Sequence, residues 1–209
     1  MKDGTHAGRS IFLVGMMGSG KSTVGRRLAA ALGREFVDAD KALEARCGVA
    51  IATIFEVEGE EGFRHREACL IDELTGQPGL VMATGGGAVL REDNRAHLHE
   101  RGFVVYLCAT VQELWVRLRH DKVRPLLRTP DPRRRIAQLV EARDPLYREC
   151  AHLVVQTGRQ PVDRVVDVIV AGLPAGVGRA GAAPSPDAQS RHIAPGTSPD
   201  DGRGRTPTL

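Results

Sequence analysis

The chain has 209 residues, of which 42% are apolar, and a net charge of +3 made up of 29 basic and 26 acidic residues. This length and apolar content suit one globular domain with a substantial core. Because the two signs of charge are interspersed, the sequence indicates neither a nucleic-acid surface nor a membrane surface, and a small anionic ligand fits better. No apolar run approaches the ~20 residues of a membrane span, and the opening MKDGTHAGRS lacks an apolar signal core. We therefore expect a soluble, cytoplasmic protein.

The cysteines give a second indication of the compartment. They are far apart, fall within apolar or helical patterns and show no metal-ligand spacing: Cys47, Cys69, Cys108 and Cys150. We predict reduced core thiols, as in a cytosolic protein, rather than a disulfide framework.

Short aliphatic runs alternate with helix-period segments along most of the chain. The runs that read as strands are IFLVG, EFVDAD, GLVMATGGG, FVVYL and HLVVQ. Five strands with helices between them predict an α/β fold, with a parallel sheet covered on both faces. We assign the folded domain to residues 9–174. In residues 175–209, 11 of the 35 residues are Gly or Pro and few are large aliphatics, which predicts a disordered tail.

The first predicted strand leads directly into a phosphate-binding motif. Residues 15–22, GMMGSGKS, match G-x-x-x-x-G-K-[ST] between a strand and a helix. The glycines let backbone N–H groups point inward, and the helix N-terminus adds positive potential. Lys21 can then reach the outer phosphates, and Ser22 is left to ligate Mg²⁺. The alternative is a plain glycine-rich turn with a solvated lysine, but the complete pattern in this context favours binding of a nucleoside triphosphate.

Two carboxylates follow at the end of the second strand, in VDAD. This edge of an open α/β sheet is where ligands bind. Alternation along a strand sends Asp38 and Asp40 to the same side. Two carboxylates there can divide the work, one toward the water shell of the metal and one toward a substrate hydroxyl. The alternative is that one of them caps a helix beside a solvated neighbour.

A cluster of arginines and glycines comes next. GEEGFRHRE places Arg64 and Arg66 about 200° apart on a helix, so at most one of them faces the cleft. An arginine fork there suits a carboxylate. The third strand ends in TGGG, where residues 85–87 would let a flat ligand lie against bare backbone amides or would form a loose hinge.

Two further basic features lie in the second half of the chain. The segment 119–135, RHDKVRPLLRTPDPRRR, has three prolines and little periodicity, which predicts a mobile basic loop. In EARDPLYRE, Arg143 precedes a proline-interrupted helix end, a position where an arginine taken alone more often lies on the surface.

Taken in order, GMMGSGKST, DAD, GFRHRE, TGGG, VRPLL and RDPLY resemble the shikimate kinase family from about residue 10 to residue 173. The resemblance implies a P-loop kinase fold similar to the nucleoside-monophosphate kinases, with a five-stranded parallel sheet in the order 2-3-1-4-5 and a mobile lid. It implies Mg²⁺-dependent transfer of the γ-phosphoryl group of ATP to the 3-hydroxyl of shikimate. The products would be shikimate 3-phosphate and ADP, on the route to chorismate and the aromatic amino acids. The implied partners are ATP and shikimate. We expect a monomer, although no motif in the sequence bears on the oligomeric state.

The same resemblance implies roles for individual residues. The residues implied to hold ATP are Gly18, Ser19, Gly20, Lys21, Ser22, Thr23, Arg117, Arg124 and Gln160, with Arg117 and Gln160 near the adenine and Arg124 in the lid. The residues implied to bind shikimate are Asp40, Arg64, Gly85, Gly86, Gly87 and Arg143. Ser22 would ligate Mg²⁺, which Asp38 would approach through water. The catalytic set would be Lys21 and Arg124, which neutralise the transferring oxygens, and Asp40, which orients the hydroxyl and can accept its proton.

Two other functions share the phosphate loop. A kinase for another small metabolite, such as a gluconate kinase, would not require the paired arginines together with TGGG. A nucleotide-binding switch without a small-molecule acceptor would hydrolyse ATP slowly and without regard to shikimate.

Overall fold

The structure is a computed structural model that describes residues 8–119 and 129–177. The strands are β1 (Ser10–Val14), β2 (Phe36–Asp38), β3 (Val81–Ala83), β4 (Gly102–Cys108) and β5 (Leu153–Gln156). The helices are α1 (Lys21–Leu32), α2 (Ala39–Cys47), α3 (Ile51–Thr75), α4 (Glu92–Arg101), α5 (Val111–Leu118), α6 (Pro132–Cys150) and α7 (Val162–Gly172), and a 3₁₀ turn spans Ala88–Leu90.

The strands form one parallel sheet in the order β2-β3-β1-β4-β5. β1 lies at its centre, with Phe12 in register with Met82 of β3 and Val104 of β4. This is the predicted P-loop kinase fold and strand order. Because all strands run the same way, the loops that follow β1, β2 and β3 meet at one edge of the sheet, and that edge carries the candidate site.

Alternation along the central strands divides the core into two layers. Ile11 and Leu13 pack with α1 and α7 on one face of the sheet. Phe12 and Val14 pack on the other face, where α2, α3, α4 and α6 lie. Both faces are therefore covered, as the continuous apolar strands predict.

Two predicted boundaries are wrong. β2 ends at Asp38, whose carboxylate caps α2 by accepting the N–H of Lys41 at 3.4 Å, so Asp40 lies in the first turn of a helix and not in a strand. The side chain of Asp131 likewise accepts the N–H of Arg134 at 3.0 Å and starts α6 at Pro132. Residues 132–135 of the predicted basic loop are consequently helical. Proline is well suited to this first helical position.

All four cysteines are free thiols in the structure. Cys150 is buried, and Cys47 and Cys108 are half-buried. Cys69 is exposed, so the prediction of a core position is wrong for this residue, which lies on the outer surface of α3. Within residues 8–119 and 129–177, none of the helices is both long enough and apolar enough to cross a bilayer.

The two ends of the described domain meet at Arg34. Its guanidinium donates from Nη1 to the carbonyl of Arg9 and from Nη2 to the carbonyl of Val177, both at 2.7 Å. Val177 is fully buried in the layer with α1 and α7. It nevertheless falls within residues 175–209, whose composition predicts a disordered tail. Residues 178–209 lie outside the described part of the chain.

Candidate active site

The phosphate loop (residues 15–22) connects β1 to α1. Gly15 has a φ of 142°, and a Cβ added there would lie 2.6 Å from the carbonyl oxygen of Leu107. Only glycine therefore fits beside β4 at this point. Ser19 is buried and its N–H donates to the carbonyl of Met16 at 3.1 Å, while Thr23 is exposed in the first turn of α1.

Lys21 is the first residue of α1, and its side chain folds back over the phosphate loop. The ammonium group donates to the carbonyls of Gly15 at 2.8 Å and Met16 at 3.0 Å. The residue is only 9% exposed. A positive charge is thus held against the phosphate loop, next to the place that such a loop offers to the outer phosphates of a nucleotide.

Ser22 and Asp38 bring two oxygen atoms together beside this loop. The Ser22 hydroxyl donates to Oδ2 of Asp38 at 2.6 Å. Mg²⁺ prefers oxygen ligands, and in kinases it is held by few side chains together with phosphates and water. The pair suits this kind of site. Among the described residues there is no group of three or more His, Cys, Asp or Glu side chains placed to hold a metal ion by themselves.

The two arginines of GFRHRE differ in burial, as their positions on opposite faces of the helix predict. The side chain of Arg64 is 12% exposed and pairs with Oε2 of Glu67 at 2.6 Å and with Glu60 at 3.3 Å. The side chain of Arg66 is 45% exposed and pairs with Glu58 at 2.7 Å. Arg64 therefore faces the site and Arg66 faces away from it.

Sequence reasoning missed Glu67, which lies at the centre of this cluster. It is 4% exposed, and burial raises the pKa of its carboxyl, against the opposing charge of Arg64. Asp40 and Arg143 also act on it electrostatically. We call Asp40, Arg64, Glu67 and Arg143 the acceptor clamp, after the substrate-binding role that the resemblance implies for the three residues other than Glu67. The signal for Glu67 was its i,i+3 spacing from Arg64, which puts both on one face of α3.

The glycine run after β3 clears space for these side chains. A Cβ added to Gly85 would lie 2.5 Å from Glu67 Oε1 and 2.7 Å from Asp40 Oδ1, and one added to Gly87 would overlap the guanidinium of Arg64. Gly85 and Gly87 are themselves buried, so the physical reason for the run is the room that it leaves for the acceptor clamp.

Arg143 is only 4% exposed, unlike a typical surface arginine, and its Nη1 donates to the carbonyl of Gly86 at 3.2 Å. The hydroxyl of Tyr147, one helical turn further along α6, donates to the same carbonyl. Burial raises the pKa of Tyr147 to about 12, so the hydroxyl keeps its proton at neutral pH. Sequence reasoning missed this tyrosine, although it stands at i+4 from Arg143 in RDPLY.

On the other side of the phosphate loop, Arg117 joins the loop to the end of β5. Its Nη1 donates to the carbonyl of Gly18 at 3.1 Å, and its Nη2 donates to the carbonyl of Gly158 at 2.6 Å. Gln160 is exposed two residues further along. Arg124, the predicted lid arginine, lies outside the described residues.

Comparison with known proteins gives a consistent set of relatives. Residues 17–174 match the sequence model of a family described as shikimate kinase. The chain is 56% identical over 161 residues to the shikimate kinase of Burkholderia thailandensis, a match that covers 77% of this chain and 88% of that protein. A solved shikimate kinase from Acinetobacter baumannii in complex with shikimate superposes with a TM-score of 0.76 at 46% identity, covering 78% of this chain and 92% of that one. A gluconokinase from Sinorhizobium meliloti, at 19% identity, a TM-score of 0.51 and coverage of 79% of this chain and 91% of that one, shares the fold alone.

Proposed function

The chain belongs to the shikimate kinase family, and we propose that it transfers the γ-phosphoryl group of ATP to the 3-hydroxyl of shikimate, releasing ADP and shikimate 3-phosphate. The observation that carries this proposal is the position of Gly86. Its carbonyl accepts from Arg143 of the acceptor clamp, and a Cβ added to it would lie 3.2 Å from the backbone nitrogen of Met17 in the phosphate loop. A carboxylate acceptor and a nucleotide would thus be bound side by side.

In this proposal the arginines select the acceptor. Arg64 and Arg143 would hold the carboxylate of shikimate, and each fork can form two charge-assisted hydrogen bonds. Asp40, in the first turn of α2, would hold the hydroxyls and orient the one that attacks. Gly85 to Gly87 would line the remaining side of the pocket with backbone groups.

Phosphoryl transfer needs positioning and neutralisation of charge more than covalent chemistry. Lys21 would neutralise the outer phosphates from its place against the phosphate loop, with residues 18–23 around them. Arg124 would supply a second positive charge to the transferring oxygens. Ser22, with Asp38 behind it, would hold Mg²⁺, which supplies additional positive charge to the phosphates. Arg117 and Gln160 would flank the adenine.

We further propose that the protein acts as a monomer in the cytoplasm. The phosphate loop and the acceptor clamp both come from one chain, which supports a site that needs no second copy. Light scattering of the purified protein at assay concentration tests this, and a stable dimer would contradict it.

The function is tested by measuring ADP release over a panel of polyhydroxylated acids, with and without Mg²⁺. We expect release only with shikimate and only with the metal. Asp40→Asn keeps the shape of the side chain but loses the charge, and kcat should fall by about 10²-fold or more. Slow ATP hydrolysis that is indifferent to shikimate would contradict the proposal and favour a nucleotide switch, and preference for gluconate would identify a different acceptor.

A further inference from the structure

Two side chains of α6 meet at one backbone carbonyl. The carbonyl of Gly86 accepts from Nη1 of Arg143 at 3.2 Å and from the hydroxyl of Tyr147. Arg143 belongs to the acceptor clamp. Tyr147 has no role in the function proposed above, although its ring is fully buried beside that clamp.

The same tyrosine also touches the phosphate loop. Its hydroxyl lies 3.6 Å from the sulfur of Met16, and the Gly86 segment packs against the next residue, Met17. One hydroxyl group therefore contacts both the segment that lines the acceptor pocket and the loop that holds the nucleotide.

The ring of Tyr147 is also held in place by a second tyrosine, Tyr106. It stacks on Tyr106 with centroids 4.9 Å apart and an interplanar angle of 26°. The Tyr106 hydroxyl donates to Asp144 at 2.8 Å, and Nε of Arg148 donates to the same carboxylate at 2.6 Å. A ring held between a close-packed neighbour and a backbone carbonyl cannot shift without moving one of them.

We propose that Tyr147 is a positioning residue that fixes the Gly86 backbone and so sets the distance between the bound acceptor and the phosphate loop. This inference rests on the proposed function. Without the hydroxyl, Arg143 would be the remaining side-chain donor to the Gly86 carbonyl, and the guanidinium that should hold the acceptor carboxylate would move with a loosened loop.

The first test is Tyr147→Phe, which removes one oxygen atom and keeps the ring. A neutral hydrogen bond of this kind contributes about 1 kcal/mol of stabilisation, so its loss should lower kcat/KM for shikimate by about fivefold. The KM for ATP should change by less than about twofold, since the nucleotide is held by the phosphate loop backbone.

Tyr106→Phe is the matched control, because it removes the hydroxyl of the stacked partner, which is also buried but bonds to Asp144 instead of the site. We expect a loss of melting temperature similar to that of Tyr147→Phe, with kcat/KM for shikimate unchanged. If both variants lose stability and neither loses kcat/KM, Tyr147 is structural only and the inference is overturned.

A double-mutant cycle with Arg143→Ala tests the route of the effect. If both side chains act through the Gly86 carbonyl, the loss of kcat/KM in the double variant should be smaller than the product of the single losses. Fully multiplicative losses would show that the two residues act independently and would contradict the proposal.

A spectroscopic measurement covers the case in which Tyr147→Phe fails to fold. The chain has two tyrosines, so in the Tyr106→Phe variant 3-fluorotyrosine labels position 147 alone. Its ¹⁹F resonance should shift on saturation with shikimate, and a resonance that does not move would overturn the inference. Wild-type protein that never shows shikimate-dependent ADP release would instead contradict the proposed function, so the two failures are distinguishable.

Discussion

Arg64 and Arg66 are two residues apart on α3, and their surroundings are opposite. Arg64 is nearly covered and lies between a buried carboxylate and the glycine run, whereas Arg66 is exposed and paired with Glu58 at the surface. Exposed ion pairs contribute little to stability, since solvent screens them. The two residues therefore give a matched pair for testing which side of the helix recognises the acceptor.

We predict that Arg64→Ala raises the KM for shikimate by about tenfold or more, since a charged hydrogen bond contributes roughly 1.5–3 kcal/mol. The KM for ATP should hardly change. Arg66→Ala is the control and should leave both constants within about twofold. Steady-state kinetics with each substrate in turn make the measurement, and the reverse pattern would assign the site to Arg66.

The loss of Arg64 also leaves Glu67 buried without its main partner, which is destabilising in itself. The double variant Arg64→Ala, Glu67→Gln removes that unpaired charge. Its melting temperature should recover relative to Arg64→Ala, while its KM for shikimate stays high. Recovery of the KM as well would mean that Arg64→Ala acted through folding.

Most of the site could be predicted from residue identity and spacing, and the failures have physical causes. The phosphate loop and the inward-facing Arg64 follow from local motifs. Arg143 was assigned only through the family resemblance, because an arginine at that position taken alone more often lies on the surface. The strand assigned through Asp40 was wrong because an aspartate at the end of an aliphatic run can cap a helix as readily as continue a strand. Glu67 and Tyr147 each lie about one helical turn from a predicted arginine, a spacing that puts them on the same helix face but does not show that they are buried there.

At the scale of elements, α3 contains a break at Gly59. This residue has φ 71° and ψ −174°, a conformation essentially reserved for glycine, and it separates the first turns of the helix from the part that carries Arg64 and Glu67. A Cβ at this position would meet nothing within 4 Å. Any cost of a side chain here is therefore backbone strain and not steric overlap.

We predict that Gly59→Ala lowers the free energy of unfolding by about 1–3 kcal/mol. Denaturant unfolding makes the measurement. Glu61→Ala, at an exposed helical position two residues away, is the control and should change stability by no more than about 0.5 kcal/mol. Equal stability of Gly59→Ala and wild type would show that the helix continues through this residue without a break.

A titratable group, His152, lies just before β5 and contacts the start of the neighbouring strand β4. The backbone N–H of Val104 donates to Nδ1 of His152 at 3.1 Å, and the ring of His152 stacks on His99 and Phe103. Burial against these rings, together with the charges of His99 and Arg9, lowers the pKa of His152 to about 4. A protonated Nδ1 could not accept the hydrogen bond from Val104.

Because His152 takes up a proton more readily in the unfolded chain than in the folded one, its contribution to stability is complete above about pH 6.5 and is lost as the pH falls toward 4. His152→Asn keeps an acceptor but does not titrate, so its melting temperature should fall less than that of wild type between pH 7 and pH 4.5. The exposed His65→Asn should follow wild type. Identical pH profiles for all three proteins would exclude His152 as the cause.

For the whole molecule, Val177 extends the packed part of the described chain past the predicted boundary at residue 174. Its side chain is fully buried and its carbonyl is bonded to Arg34, whereas a boundary drawn by composition falls before it. Composition averages over a window, and a single apolar residue among glycines does not register in such an average. Packing against α1 and α7 is what distinguishes this residue.

We predict different outcomes for two truncations. Deletion of residues 178–209 should leave melting temperature and activity nearly unchanged. Deletion of residues 175–209 also removes Val177, whose burial contributes about 2 kcal/mol, and should lower the melting temperature by about 4–8 °C. Calorimetry of both proteins decides the matter, and equal melting temperatures would place the domain boundary before Val177.

Because Arg9 and Val177 both bond to the guanidinium of Arg34, the two ends of the described domain lie close together, which suggests a circular permutation of the chain. Two carbonyls bonded to the same side chain are close enough for a short glycine linker to join the ends of the domain, a condition under which circular permutation is tolerated. New termini between Gln77 and Pro78 would open an exposed turn before β3, at the edge of the sheet away from the phosphate loop. Synthesis would then begin with β3, while the order of strands in the sheet stayed the same. Shikimate-dependent ADP release by such a permutant would show that the site depends on where the strands lie and not on the order in which they are made.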